Sequence, residues 1–468
     1  NLHYEKFSDG TVKCIEDEIP FDIPNTWSWC RLNNIGSTNI GLTYSPSDIC
    51  NDGTMVLRSS NIVNGKIDLA DLVKVKSDIR KNQYLQNGDI LICARNGSKR
   101  LVGKCALFLG IKEPASFGAF MAVYRSDYNR YIYYFLCTDI FRNTFASDDS
   151  KQINQLTQDM IKNTLLPLPP LNEQNRIVKS LNNAFIVVDK IEESKTNLKE
   201  DIQKTKSKIL ELAIRGKLVP QDPNDEPASV LLERIRAEKE ELIKQGKIKR
   251  DKKESVIFKG DDNSYYRTIN SKTELLEIGY DYELPDGWEF ITVGEYSKKV
   301  TDQVASGSFA ALRENVKSLK TPDYAIMVKT ADFSNGFTKN LTYTDKHGYE
   351  FLENSNLFGG ELILNNIGSI GKVFIVPKLD HKMTLAPNSI MIRLNSEEYR
   401  DYLYYFFSSP LGYSALMSIS SGAAVTKFNK TDLKNLVIPI PPLVEQKRIV
   451  DEIEKIFAIL DDIANQVA

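Results

Sequence analysis

The sequence predicts an α+β protein: two similar α/β globules joined by long helices that pair as an antiparallel coiled coil, with a pseudo-twofold relation between the halves. Three observations carry that expectation. The twelve residues Pro167-Leu-Pro-Pro-Leu-Asn-Glu-Gln-Asn-Arg-Ile-Val178 recur as Pro439-Ile-Pro-Pro-Leu-Val-Glu-Gln-Lys-Arg-Ile-Val450, with nine positions identical. The segment after each block carries apolar residues at alternating four- and three-residue spacing, the seam of a coiled coil. Within each copy, glycine turns, short apolar runs and helical spacing are mixed. The boundaries drawn are 1–170 for the first globule, 171–262 for a central helix and linker, 263–438 for the second globule and 439–468 for a C-terminal helix.

Landmarks upstream of the repeated block follow in the same order in both copies. Ile23-Pro24 and Trp27 match Leu284-Pro285 and Trp288. Asn64-Gly65 matches Asn335-Gly336, and both read as hairpin turns. Gly88-Asp89-Ile90-Leu91-Ile92 matches Gly360-Glu361-Leu362-Ile363-Leu364, a glycine turn feeding a buried strand. Asp127–Cys137 and Glu397–Phe407 carry apolar residues at helical spacing. Their tyrosines suit a base-stacking platform, but the helical setting favours core packing.

The central seam runs through positions 177, 181, 184, 188, 191, 195, 198, 202, 205, 209 and 212; only Lys195 and Thr205 are polar. The prolines before it forbid helix there, Glu173 and Glu445 suit the positive end of the helix dipole, and Gly216 ends the first helix. A helix over 172–215 would be ~65 Å long. The C-terminal helix repeats the seam at 449, 453, 456, 460, 463 and 467 and is its simplest partner, with a second subunit as the competing one. Asp225-Glu226-Pro227 opens a short amphipathic helix over Val230–Leu242, and the basic run Lys244–Lys253 reads as a solvated linker or a phosphate contact.

Composition bounds the function. With 60 basic and 62 acidic side chains the net charge is −2, which argues against an indiscriminate polyanion binder but permits a DNA reader with its positive charge on one face. The six cysteines lie in the first third without a C-x-x-C pair, so reduced thiols are expected. No run approaches the roughly 18 apolar residues of a membrane span. No secretory leader opens the sequence, which starts at Asn1 and reads as a trimmed product of a cytoplasmic protein.

Catalytic motifs fail in turn. The glycines and lysines of 97–104 and 368–372 lack P-loop spacing, and Cys105 or Val373 follows where Ser or Thr would bind magnesium. No dinucleotide or S-adenosylmethionine glycine motif, no Asn/Asp-Pro-Pro-aromatic tetrapeptide, no metal cluster and no nucleophile elbow is present. Neither a catalytic residue, nor a cofactor-binding residue, nor a metal ligand is expected. Two similar modules on a stiff coil fit a two-part target such as DNA half-sites about one helical turn apart.

At the two Pro-Pro-Leu-x-Glu-Gln-x-Arg-Ile-Val blocks and at Leu212-Ala-Ile-Arg-Gly-Lys-Leu-Val-Pro220, the chain resembles the specificity subunit of a type I restriction–modification system. The likeness spans essentially the whole chain. It implies two target-recognition domains, each binding half of a bipartite site, and paired helices acting as a ruler. It implies double-stranded DNA as ligand, two docked adenine methyltransferase subunits that carry S-adenosylmethionine, restriction and translocase subunits as further partners, no catalytic site or cofactor in this chain, and a bacterial or archaeal cytoplasm. Two features depart from the pattern. The C-terminal helix is shorter than the central one, and Tyr4–Trp27 resembles Tyr265–Trp288, as if a circular repeat had been cut just after its linker.

DNA positioning needs Lys, Arg and small polar groups, and base reading needs Arg, Lys, Asn or Gln. The expected DNA contacts are Arg58 and Ser59; Arg95, Asn96, Ser98, Lys99, Arg100 and Lys104; and Lys151 and Gln152. Their counterparts in the second copy are Lys329 and Thr330; Asn365, Asn366, Ser369 and Lys372; and Thr426 and Lys427. The copies differ most in these loops, so the target is expected to be asymmetric. Glu173, Gln174 and Arg176, with Glu445, Gln446 and Arg448, either brace the helix start or touch a methyltransferase, and bracing is preferred. The competing reading of the whole chain is a coiled-coil scaffold that binds protein or nucleic acid without sequence choice. A specificity module for a stand-alone modification enzyme is a third.

Overall fold

The computed structural model describes residues 2–146, 155–248, 250, 255–269, 272–368, 370–422 and 426–467. The chain divides into unit 1, Asn1–Glu192, and unit 2, Glu193–Ala468.

Unit 1 holds a four-stranded antiparallel sheet in the order Cys105–Leu107, Ile90–Cys93, Met121–Arg125, Ser37–Ile40. A second sheet places Ile49–Leu57 between Val73–Val75 and Ala115–Phe117, the last pairing parallel. Ile90–Cys93 is buried on both faces, so it reads as a continuous apolar run. One face packs with helix α1, Asn129–Leu136, and the other with Leu57, Phe117 and Met121. Tyr131, Ile132 and Phe135 are buried, so the tyrosine-rich helix serves the core rather than a stacking platform. Asn64 and Gly65, with φ of +50° and +72°, turn the hairpin Ile62–Val63/Lys66–Ile67 as expected.

One continuous helix, α2, spans Leu171–Ile214. It ends as Gly216 promised: at φ +65°, with Lys217 N donating to Leu212 O and Gly216 N to Ala213 O, it satisfies the last carbonyls. Helix α3, Ala228–Lys244, follows, and Arg250 beyond it grips Glu240.

Unit 2 repeats the architecture. Its antiparallel sheet runs Val373–Ile375, Leu362–Asn365, Ser389–Arg393, Lys299–Asp302. Ala325–Val328 pairs parallel with Lys382–Leu385, as Ile49–Leu57 does with Ala115–Phe117. Helix α4, Arg400–Ser408, takes the place of α1. A three-stranded sheet, Ser255–Lys259, Tyr265–Ile269 and Lys272–Leu275, precedes it. The Asn335-Gly336 hairpin is not there. Asp332 accepts a hydrogen bond from Lys329 N at 2.8 Å and starts a helical turn over Thr330–Ser334, so Asn-Gly ends a helix instead.

Helix α5, Leu443–Gln466, packs antiparallel on the C-terminal part of α2: Ile209, Leu210, Ala213 and Ile214 share a core with Ile449 and Ile453, and Lys206 reaches Asp461 and the Phe457 ring. The expected seam is therefore buried only in part. Ile202 and Ile209 are covered, whereas Val188 and Ile191 of unit 1 are about half exposed. No helix among the described residues is long and apolar enough to cross a membrane.

Candidate nucleic-acid interface

In unit 1 the strand Ile90–Cys93 delivers the chain to the loop 94–103, and Cys105–Leu107 takes it back. Positive φ is needed at both ends, +92° at Gly88 and +80° at Gly103, where a Cβ would also meet the Phe145 ring at 2.6 Å. The loop is anchored by its backbone. Cys93 N donates to Lys104 O, Ala94 N and Arg95 N both donate to Phe120 O, and Leu156 N donates to Ala94 O. Arg95 bridges Gln155. Asn96 Nδ2 donates to Ser59 Oγ at 3.2 Å, and its Oδ1 accepts from Ser98 N at 3.0 Å. The predicted residues at 58–59 and 95–100 thus lie side by side.

Their charges differ in availability. Arg58 is spoken for by Asp71, at 2.8 Å. Arg95, Lys99 and Arg100 are exposed, Lys104 is half-buried, and none of the four is ion-paired among the described residues. Arg95 lies 5.6 Å from the centre of the Phe120 ring, which is 61% exposed. Lys151 and Gln152 fall outside the described residues.

Unit 2 builds the same frame with other side chains. Asn365 N donates to Lys372 O, Asn366 N to Asn388 O, and Phe428 N to Asn366 O; Ile367 bridges Lys427, and Gly368 N donates to Thr426 O. Asn366 Nδ2 donates to Phe428 O while its buried Oδ1 has no partner among the described residues. These bonds bring Asn365, Asn366, Lys372, Thr426 and Lys427 together; Ser369 falls outside the described residues. Lys372 and Lys427 are exposed and not ion-paired among the described residues. Lys329 and Thr330 open the nearby helical turn. Lys329 Nζ donates to Asn340 O at 3.1 Å and sits 3.6 Å from Asp332.

The hydrogen-bond register equates Cys93 with Asn365, Arg95 with Ile367, Phe120 with Asn388 and Gln155 with Lys427. The exposed cation is on the first partner of the bridge in unit 1 and on the second in unit 2. The loop 94–103 is also longer than its counterpart 366–371. Sequence reasoning passed over Phe120 and Asn388. The one signal for them was their place directly before the strands Met121–Arg125 and Ser389–Arg393.

Each frame rests on a buried carboxylate. Asp89, 1% exposed, takes both Nε and an Nη of Arg125 at 2.7 and 2.6 Å; Glu361 takes Arg393 at 3.1 and 2.8 Å.

Four of the six junction residues make bonds at the helix starts. Gln174 Nε2 donates to Pro169 O at 2.8 Å, and Gln446 Nε2 to Pro441 O at 2.9 Å. Gln446 also accepts from Tyr296 Oη. Glu445 is buried and accepts from Gln221 Nε2 at 2.6 Å and Trp288 Nε1 at 3.0 Å. Arg448 pairs with Asp225. Glu173 is half-buried and Arg176 exposed.

Burial pushes the Glu445 carboxyl above its ordinary range, against the pull of those two donors. The folded chain thus holds this proton more tightly than the unfolded chain. Its contribution to stability is greatest below the unfolded carboxyl value and declines as pH rises from there through the raised folded value. Glu445→Gln is expected to keep the acceptor and erase that pH-dependent decline. Glu445→Ala is expected to cost about 1–3 kcal/mol by orphaning the Trp288 indole. Urea unfolding of both variants at several pH values checks this.

Comparison with known proteins follows the same duplication. A family model described as the type I restriction modification DNA specificity domain matches residues 24–201 and 285–468. The specificity subunit of type I restriction enzyme EcoKI, from Escherichia coli strain K12, is 24% identical and covers 95% of this chain and 85% of its own. That of EcoEI, from Escherichia coli, is also 24% identical, covering 97% and 82%. A chain solved in work on complex assembly and conformational transition of the type I R-M system has a similar fold, with a TM-score of 0.55, 18% identity and coverage of 96% and 94%.

Proposed function

The chain belongs to the family of type I restriction modification DNA specificity domains, and from that premise we propose that it reads an asymmetric, two-part DNA site and holds methyltransferase subunits on it. DNA sequence specificity is its role; the bond-making chemistry lies in partner subunits. The observation that carries the asymmetric reading is one backbone frame built twice with different exposed side chains. Arg95, Lys99, Arg100 and Phe120 stand exposed on the first; Lys372, Asn388 and Lys427 stand exposed on the second. Arginine in the major groove suits guanine, an amide suits adenine, and an aromatic edge suits the thymine methyl. Two such readers see two different half-sites.

The partners that fit this reading are two type I methyltransferase subunits, with restriction and translocase subunits able to join. S-adenosylmethionine belongs to the methyltransferase, and this chain carries no cofactor of its own. The setting is a bacterial or archaeal cytoplasm, where the DNA is. The scaffold reading is not favoured, because it gives no reason for a duplicated frame with divergent loops.

The test is binding by the assembled methyltransferase complex to its methylated motif, found by sequencing N6-methyladenine in host DNA with and without the gene. A reader loses ~1–3 kcal/mol for each mismatched pair in either half-site. Equal affinity for random duplex would leave the scaffold instead.

A further inference from the structure

Two thiols of unit 1 stand together at the foot of the loop 94–103. Cys105 opens the strand Cys105–Leu107, one residue after Lys104, and is buried. Cys137 follows Leu136, the last residue of α1, and is exposed. Their Sγ atoms are 3.8 Å apart. Closing that gap takes about 1.8 Å, given an S–S bond of ~2.0 Å, and the exposed end of α1 is the side that can give.

The two sulfurs are unlike. The hydrogen bond from Cys105, helped by the Tyr133 hydroxyl and the Arg142 charge, pulls the Cys137 thiol down to about 7 against partial desolvation. The same bond, with burial, pushes the Cys105 thiol up. One thiol is thus open to solvent and ready to ionise, and the other is kept protonated behind it. Cys137 also lines a cleft of about 350 Å³ with Tyr131, Tyr134, Phe135, Leu181 and Phe185, which admits a small molecule.

The fold does not call for sulfur at either place. The register that equates Cys93 with Asn365 equates Cys105 with Val373. Tyr131 and Tyr402, which both donate to a proline carbonyl, equate Cys137 with Ser408. Unit 2 builds the same strand and helix without a cysteine.

We propose that Cys137 and Cys105 form a peroxide-reactive dithiol, in which Cys137 attacks, Cys105 resolves, and hydrogen peroxide is the oxidant. The Cys137 thiolate attacks one peroxide oxygen and breaks the O–O bond. The sulfur becomes a sulfenic acid, and the hydroxide that leaves takes up a proton as water. The Cys105 sulfur then attacks the Cys137 sulfur and gives up its proton, and a second water leaves as the Sγ–Sγ bond forms. The two thiols lose two electrons and two protons, and the peroxide takes up both. The product ties the foot of the loop to the end of α1 by a covalent bond, which a thiol reductant undoes.

The test titrates hydrogen peroxide into the reduced full chain and maps its peptides by mass spectrometry under non-reducing conditions. The Cys105–Cys137 link is expected to be the first crosslink, with the loss of two hydrogens, and dithiothreitol is expected to remove it. Cys137→Ser should leave Cys105 a thiol. Cys105→Ala should stop the reaction at a Cys137 sulfenic acid that dimedone traps. Exposed Cys14 is the internal reference and should be oxidised more slowly than Cys137. No Cys105–Cys137 link at a dose that oxidises Cys14 overturns the proposal. So does a link that forms as fast in the urea-unfolded chain as in the folded one, or oxidation of Cys105 at an unchanged rate in the Cys137→Ser chain.

Discussion

Replacing Arg95, Lys99 and Arg100 together by alanine is expected to lower DNA affinity on the order of 100-fold at 0.15 M salt. Each phosphate contact releases about 0.9 counterion, which multiplies binding roughly fivefold between 1 M and 0.15 M salt, and three contacts compound. The slope of log affinity against log salt should flatten by about 2.7 in the same variant. The three side chains qualify because they are exposed and free of ion pairs among the described residues. Arg58 does not, since Asp71 already neutralises it, so Arg58→Ala should move the slope far less. Fluorescence anisotropy of the assembled complex across a salt series reads both numbers. An unchanged slope in the triple variant would take this loop off the DNA.

Asp89→Ala is expected to destabilise unit 1 by about 3 kcal/mol. Asp89 is 1% exposed and holds Arg125 through two hydrogen bonds while accepting a third from Gln86 N at 2.7 Å. Removing one partner of a buried pair leaves the other charge uncompensated, which costs about 3–5 kcal/mol where both are fully buried. Arg125 is 25% exposed, which places the expectation at the lower end. Asp89→Glu should be milder, because Glu361 holds Arg393 in unit 2 at the equivalent place. Hydrogen exchange checks the effect locally: Ile90–Cys93 should lose protection while Leu362–Asn365 keeps it. Equal loss in both strands would mean that the pair does not act within its own unit.

The duplication, the helix starts and the buried strands could be read from the sequence because each rests on a local signal. Prolines forbid helix, glycines mark positive φ, and apolar spacing marks a face. The candidate site was legible to the extent that its residues sit between such landmarks: Arg95 to Lys104 were singled out because strand and glycine bracket them. What escaped depends on pairing across the chain. Asn335-Gly336 has the letters of a hairpin, and only the Asp332 cap converts it to a helix end. Arg58 looks like a free cation until Asp71 is folded against it. Phe120 and Asn388 have neither charge nor motif, and become visible only when the backbone register places them beside the loops. The half-exposed stretch of the α2 seam at Val188 and Ile191 was not legible, because heptad spacing tells where a partner fits and not whether one is there.

The loops of both units hang from main-chain hydrogen bonds: Cys93 to Lys104, Asn365 to Lys372, and the bridges to Gln155 and Lys427. Peptide groups make these bonds whatever side chain they carry, proline excepted. Mutation can therefore rewrite the exposed letters, or let one loop differ in length as 94–103 does from 366–371, without touching the scaffold beneath. In such a molecule, selection for a new target and selection for a stable fold act on separate residues, and a lineage can change the one at little expense to the other.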